Sequence, residues 1–177
     1  MHLKDYVKTY DQFLDEASCD ALIGQFESNK NIEYHDTDLY KFEQLNLNTS
    51  GLGGVAQQIC SGLSDIFSQY FEEVGVSEYI GIQGFEQLRI KKYYKNSDYQ
   101  FKTHIDVADA NSMKRYLIAI IYLNDNNGAT EFPQLGISNV PQKGNVIVFP
   151  PTWQYPHAGL IPTDTDKYIM MTSLHYT

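Results

Sequence analysis

Arg115-Tyr116-Leu117-Ile118-Ala119-Ile120-Ile121-Tyr122-Leu123 is a nearly unbroken apolar run of β-branched, aromatic and aliphatic residues. A strand reads this way when both of its alternating faces are buried. The run is stopped by Asn124-Asp125-Asn126-Asn127-Gly128, a strong turn signal. Beyond it, short strand signals follow at Ala129–Phe132, Ile137–Val140, Asn145–Phe149, Gln154–Gly159 and Lys167–His175, separated by Gly, Pro and Asn. Upstream, Glu78 to Tyr94 is rich in β-formers. Strands at such short intervals predict a β-sandwich or barrel.

The first 75 residues have a different period. Asp15 is a good N-cap for a helix running to about Phe26, with Cys19, Leu22, Ile23 and Phe26 at helical spacing. A second helix is predicted from about Gly53 to Glu73, stopped by Gly75. Its apolar set includes Val55, Ile59, Leu63, Ile66, Phe67, Tyr70 and Phe71, at steps of three and four. Ile32–His35 and Phe42–Leu47 read as short strands between the helices. Two helices packed on one sheet give an α+β, mainly β, fold. With 177 residues the chain is expected to be one domain, 1–177.

Composition narrows the function. Hydrophobic residues are 42% and charged residues 20%, a globular balance. The net charge of −9 argues against a protein that grips nucleic acid. No apolar stretch is long enough to span a membrane, and Met1 to Asp11 has no apolar run of a signal peptide. A cytoplasmic protein is therefore expected. Cys19 and Cys60 lie in apolar helical patterns and read as buried free thiols more readily than as a disulfide.

His104 is followed two positions later by Asp106. Residues i and i+2 of a strand share a face, about 6–7 Å apart at Cα, so both can reach one metal ion. A third ligand must come from another strand, and His157 is the best candidate. Two His and one carboxylate leave three octahedral positions open on one face, the arrangement for non-haem Fe(II). Alone, His-x-Asp is a weak signal and reads first as a surface pair at a loop edge.

From Leu88 onward the chain resembles the iron- and 2-oxoglutarate-dependent dioxygenases, in their prolyl 4-hydroxylase-like branch. Tyr93-Tyr94 precede His104-Ile105-Asp106, and the strand Tyr116–Asn124 follows. Asn127-Gly128-Ala129-Thr130-Glu131-Phe132, Pro141-Gln142-Lys143-Gly144 and His157-Ala158-Gly159 come next, with Lys167 ten residues after that His. The N-terminal Tyr10 to Ile23 matches more loosely. The resemblance implies a double-stranded β-helix, or jelly roll, mostly over 78–177, with helical support mostly over 1–77. It implies Fe(II) on His104, Asp106 and His157, and Lys167 on the distal carboxylate of 2-oxoglutarate. Tyr122, and either Tyr93 or Tyr94, would line the cosubstrate pocket. Trp153 and Tyr155 read either as rim packing or as a wall of the substrate groove. Glu131 falls at a variable position and is left out.

The implied activity is hydroxylation of prolyl residues in a peptide or protein, as by procollagen-proline 4-dioxygenase. Dioxygen is consumed and 2-oxoglutarate is decarboxylated to succinate, with ascorbate as a possible reductant. The same chemistry on a free amino acid or small metabolite, and a catalytically silent jelly-roll binding module, are the alternatives. A nucleic-acid demethylase fits less well, because of the charge and because that branch uses Arg where Lys167 stands. Glu33–Asn48 or Asp106–Lys114 would form a mobile cover over the substrate. Many family members carry a Trp where Ser173 and Leu174 stand, which leaves the primary substrate less defined than the iron site. The small size suits a stand-alone enzyme of a bacterium or a virus-infected host cell, as monomer or homodimer.

Overall fold

The computed structural model describes residues 2–177. Two antiparallel sheets face each other, and two helices cover the outer side of the larger one. The strands are β1 (Lys8–Tyr10), β2 (Glu33–Asp36), β3 (Lys41–Asn46), β4 (Gly84–Phe85), β5 (Arg89–Tyr93), β6 (Phe101–His104), β7 (Arg115–Tyr122), β8 (Thr130–Phe132), β9 (Ile137–Asn139), β10 (Val146–Phe149), β11 (His157–Gly159) and β12 (Lys167–His175). The helices are α1 (Glu16–Ser28) and α2 (Gly53–Glu73). The large sheet runs β1-β10-β7-β12-β5-β3-β2, with β4 beside β12, and the small sheet runs β6-β11-β8-β9. This is a double-stranded β-helix with helices on one face.

The apolar run of β7 lies at the middle of this three-layer arrangement. Leu117, Ala119 and Ile121 join the core under the helices, while Ile118, Ile120 and Tyr122 join the core between the sheets. Strand β10 divides likewise, with Val146 and Val148 toward the helices and Ile147 and Phe149 between the sheets. Alternation of side chains makes each central strand serve two cores, which removes any polar face from its sequence. Burying each large side chain of this kind contributes about 1.5–3 kcal/mol.

Helix α1 starts where expected. The Asp15 carboxylate accepts a hydrogen bond from the Ser18 backbone N–H at 2.7 Å, satisfying one free donor of the first turn. Cys19, Leu22 and Phe26 then pack onto Leu63, Phe67 and Phe71 of α2 and onto the sheet. Both cysteines are free thiols; Cys19 is buried and Cys60 half-buried. Gly144 takes a positive φ of 83°, and a Cβ there would collide with the Leu14 carbonyl, so the chain needs glycine to bring α1 against β10.

Three features depart from the sequence expectation. The first is β1, because Lys8–Tyr10 join the edge of the large sheet beside β10 where no strand was expected. The segment Glu33–Asn48 is not a loose cover but a hairpin, held by Phe42, Leu45 and Leu47 in the cores. The third difference is the short length of several strands: Gln154–Pro156 precede β11 without joining it, and 76–83 carry no strand. β4 and β5 therefore occupy only part of Glu78–Tyr94.

Candidate active site

The site lies between the sheets, where β6 and β11 pair antiparallel and set His157 directly opposite His104. Their rings lie 4.3 Å apart between centroids. Asp106 sits just past the end of β6, not on it. Its backbone is held on several sides. The N–H groups of Asp106 and Val107 donate to the Pro151 carbonyl at 3.2 and 3.1 Å, and the Arg115 guanidinium donates to the Asp106 carbonyl at 2.9 Å. Arg115 is itself anchored by Glu86 at 2.7 Å.

The carboxylate of Asp106 reaches the Nε2 atoms of both imidazoles, at 3.6 Å for His104 and 3.3 Å for His157. Each imidazole presents its other nitrogen to a backbone carbonyl. His104 Nδ1 lies 2.8 Å from the Lys102 oxygen, and His157 Nδ1 lies 3.1 Å from the Tyr155 oxygen. A nitrogen so placed must donate, so in each neutral ring Nε2 is left as a lone pair. Burial holds the His157 imidazole neutral, at about 4, against the opposing pull of Asp106. For Asp106, burial opposes ionisation, but His104, His157 and Lys91 outweigh it and keep the carboxyl below its ordinary value.

The Nε2 atoms of His104 and His157 and an ionised carboxylate thus converge, and Asp106 Oδ2 is buried without a hydrogen-bond partner. Acceptors facing one another repel unless a cation sits among them. The ligand atoms of His104, Asp106 and His157 lie within 4.8 Å of one another, a set able to hold a metal ion. Two imidazoles and one carboxylate suit Fe(II) with open positions. Phe101 stacks on His104 at 3.5 Å and 4°, and Phe132 and Phe149 flank His157, which locks both rings.

From the triad a narrow cavity of about 30 Å³ leads inward, lined among others by Tyr93, Ile120, Thr130, Lys167, Ile169 and Met171. Lys167 is buried to 1% exposure and its ammonium donates to the Gly128 carbonyl at 2.6 Å. Burial pushes that ammonium down to about 7. Glycine is required at 128, because a Cβ would sit 2.8 Å from the Leu160 carbonyl. Tyr122 is fully buried, and its hydroxyl donates to Thr130 Oγ1 at 2.8 Å. The space holds about one water molecule as it stands. A dicarboxylate enters only if side chains move, and a flexible Met171 and a Lys167 that trades the Gly128 carbonyl for a carboxylate are the groups able to do so.

Of the residues singled out from sequence, His104, Asp106, His157, Lys167 and Tyr93 line one cavity. Tyr122 touches it through Thr130. Tyr94 faces the other side of β5, with its hydroxyl on Glu43 at 3.1 Å. Tyr155 is buried between the sheets, where its carbonyl orients His157, and Trp153 is 72% exposed. Phe101, Thr130, Ile120, Ile169, Met171 and Arg115 were not singled out. For Thr130 and Met171 a signal existed: the period of two puts them on the same faces as Phe132 and Lys167. Arg115 acts from outside any local motif, and only the fold brings it to Asp106. A larger groove of about 430 Å³ opens between α1 and α2, but no titratable group lines it.

Residues 88–175 match the sequence pattern of the 2OG-Fe(II) oxygenase superfamily. No curated protein matches the sequence. Among solved structures, the viral collagen prolyl hydroxylase of Paramecium bursaria Chlorella virus-1, in its 2-oxoglutarate complex, superposes with a TM-score of 0.74 at 19% identity, covering 97% of each chain. A prolyl-4-hydroxylase of Pseudomonas putida gives 0.71 at 14% identity, over 98% of this chain and 94% of that one. A Trichoplax adhaerens prolyl hydroxylase bound to a hypoxia inducible factor peptide fragment gives 0.72 at 13%, over 97% and 84%. At such identities the likeness is one of fold. With its candidate metal site and cavity lying inside the stretch that carries the family's sequence pattern, the chain belongs to the 2OG-Fe(II) oxygenase superfamily.

Proposed function

We propose that this chain is one catalytic domain, an Fe(II)- and 2-oxoglutarate-dependent hydroxylase acting on prolyl residues of a peptide or protein. The observation that carries the oxygenase reading is the convergence of two imidazole nitrogens and an unpartnered buried carboxylate oxygen on one point. His104, Asp106 and His157 would hold the iron. Lys167 would receive the distal carboxylate of 2-oxoglutarate, with Thr130, oriented by Tyr122, beside it and the Tyr93 ring as a wall. When iron and 2-oxoglutarate are bound, dioxygen converts 2-oxoglutarate to succinate and carbon dioxide, and its second oxygen atom enters a substrate C–H bond as hydroxyl.

The chain's own residues supply orientation and dryness. Phe101, Phe132 and Phe149 fix the two imidazoles, and Ile120 and Ile169 keep bulk water from the interior. Arg115 and Glu86 hold the Asp106 backbone and act as positioning residues. The prolyl assignment draws on the fold shared with prolyl hydroxylases, one of which was solved with a peptide. Exposed Trp153, four residues before His157, would offer an aromatic face to a proline ring.

The test is turnover. The protein is incubated in air with Fe(II), 2-oxoglutarate, ascorbate and a set of proline-containing peptides. The expected result is a peptide heavier by one oxygen atom, formed with an equal amount of succinate. Succinate release with no oxygen in any prolyl peptide would reject the peptidyl assignment and keep only the oxygenase.

A further inference from the structure

Strand β5 carries a buried lysine that the roles above leave unused. Its side chains alternate: Ile90 packs under the helices and Lys92 pairs with Glu27 at 2.8 Å, while Lys91 and Tyr93 face the space between the sheets. Lys91 is opposite Ile169 of β12, which lines the cavity. Only 6% of it is exposed. Its ammonium lies over the ring of Phe42 at 4.1 Å and that of Phe101 at 5.4 Å, and Phe101 stacks on His104.

Those ring faces offset part of the lost hydration but accept no hydrogen bond. Among the described residues Lys91 has no ion-pair or hydrogen-bond partner. The charged groups acting on it are Asp106, Arg89 and Arg115. Of these cations, Arg115 is paired with Glu86, whereas the Arg89 guanidinium meets only the neutral Gln87. In a chain of net charge −9, Lys91 and Arg89 thus share one face of β5 with no ion-pair partner among the described residues.

Charge balance then points to the missing group. Under the reading above, the two positive charges of iron and that of Lys167 are matched by Asp106 and the two carboxylates of 2-oxoglutarate. Lys91 is left without an anion once the site is loaded. An ammonium mostly buried with no protein acceptor is costly, and a site keeps one where a ligand completes it. We propose that Lys91 is a specificity-determining residue whose partner is a carboxylate on the primary substrate, close to the C–H bond that reacts. The substrate class is then a prolyl unit bearing its own carboxylate. It is free proline or the C-terminal residue of a peptide, not an interior residue flanked by neutral amides. This rests on the iron and 2-oxoglutarate reading and deepens it.

The experiment compares wild type with Lys91→Met and Lys91→Arg. Each is first checked, without oxygen, for the visible absorption band of the protein–Fe(II)–2-oxoglutarate complex. No band in the wild type would defeat the underlying reading and this proposal with it. A band in all three isolates the proposal. Binding to the loaded, anaerobic protein is then measured by calorimetry for three probes: L-proline, a capped peptide ending in a prolyl carboxylate, and the same peptide ending in a prolyl amide. At least one carboxylate probe is expected to bind wild type about thirtyfold or more tighter than the amide. Lys91→Met should erase that preference and Lys91→Arg should keep it. The two carboxylate probes tell a free imino acid from a peptide end.

A second readout uses the protein without metal or cosubstrate. Lys91→Met replaces a buried ammonium that meets no hydrogen-bond acceptor with an apolar side chain of similar length and is expected to raise the Tm by about 2–4 °C. A lower Tm would mark Lys91 as a structural counter-ion of Asp106 and overturn the proposal. So would failure of every carboxylate probe to bind, equal binding to wild type and Lys91→Met, or a loss of 2-oxoglutarate affinity in Lys91→Met.

Discussion

Asp106→Asn is expected to abolish tight Fe(II) binding while leaving the protein folded. The side chain keeps its shape, and its new amide can donate to the Nε2 lone pair of His157 that the carboxylate now confronts at 3.3 Å. The metal-free variant should therefore melt within about 2–4 °C of wild type. What disappears is the one negative charge among the three candidate ligands. Affinity should fall by more than about 100-fold, beyond what loss of an outer-shell partner gives. Thermal unfolding with and without Mn(II), a redox-silent probe, provides the check. A metal at 100 times its Kd stabilises the folded state by about 2.7 kcal/mol. Wild type should rise in Tm accordingly and Asp106→Asn should not. An equal rise in both would place the metal elsewhere.

Lys167→Met is expected to weaken 2-oxoglutarate binding by about thirtyfold or more, with Fe(II) binding unchanged. The ammonium is buried and, among the described residues, is the one lysine or arginine cation lining the cavity. Removing one partner of a buried charged pair costs about 2–5 kcal/mol. Calorimetric titration of 2-oxoglutarate into the Mn(II)-loaded protein measures it, and unchanged affinity would remove Lys167 from the cosubstrate site.

The same variant carries a pH signature. Burial lowers the Lys167 ammonium from its ordinary 10.5 to about 7. Between those values the folded state holds fewer protons than the unfolded chain, so the lysine makes the fold more stable as pH rises. Its penalty is fully present below about pH 7. The unfolding free energy of Lys167→Met minus that of wild type should therefore fall from pH 7 to pH 10. A flat difference would show that the ammonium titrates normally.

Much of this architecture was legible from residues 115–128. An apolar run with no polar alternate, ended by Asn-Asp-Asn-Asn-Gly, announces a strand between two cores, and β7 is that strand. Helix α2 was readable end to end because its apolar stripe has one period and Gly75 follows it. Strand β1 was not readable: three residues, Lys8–Tyr10, carry no periodicity, and β10 alone makes them a strand. The two strands of the β2–β3 hairpin were readable, but not that Phe42, Leu45 and Leu47 would bury it against the cores.

The cavity shows the same division. His104 and Asp106 stood out by their spacing, with His157 as the candidate third ligand, and Lys167 was placed by the resemblance to a known family. Tyr93 and Tyr94 could not be separated, because a strand's phase relative to the core is set by its neighbours. Pairing of Tyr93 with Lys167 fixes that phase and turns Tyr94 toward Glu43. Lys91 follows from the same phase, two residues along β5. Nothing in Arg-Ile-Lys-Lys-Tyr says which lysine is buried without a partner.

The most direct test of the central claim is an anaerobic titration of Fe(II) into the protein with and without 2-oxoglutarate, read by visible absorption. The account predicts a metal-to-ligand charge-transfer band that needs both additions, is absent in Asp106→Asn and is weakened in Lys167→Met. A folded wild-type protein that gives no such band would contradict it.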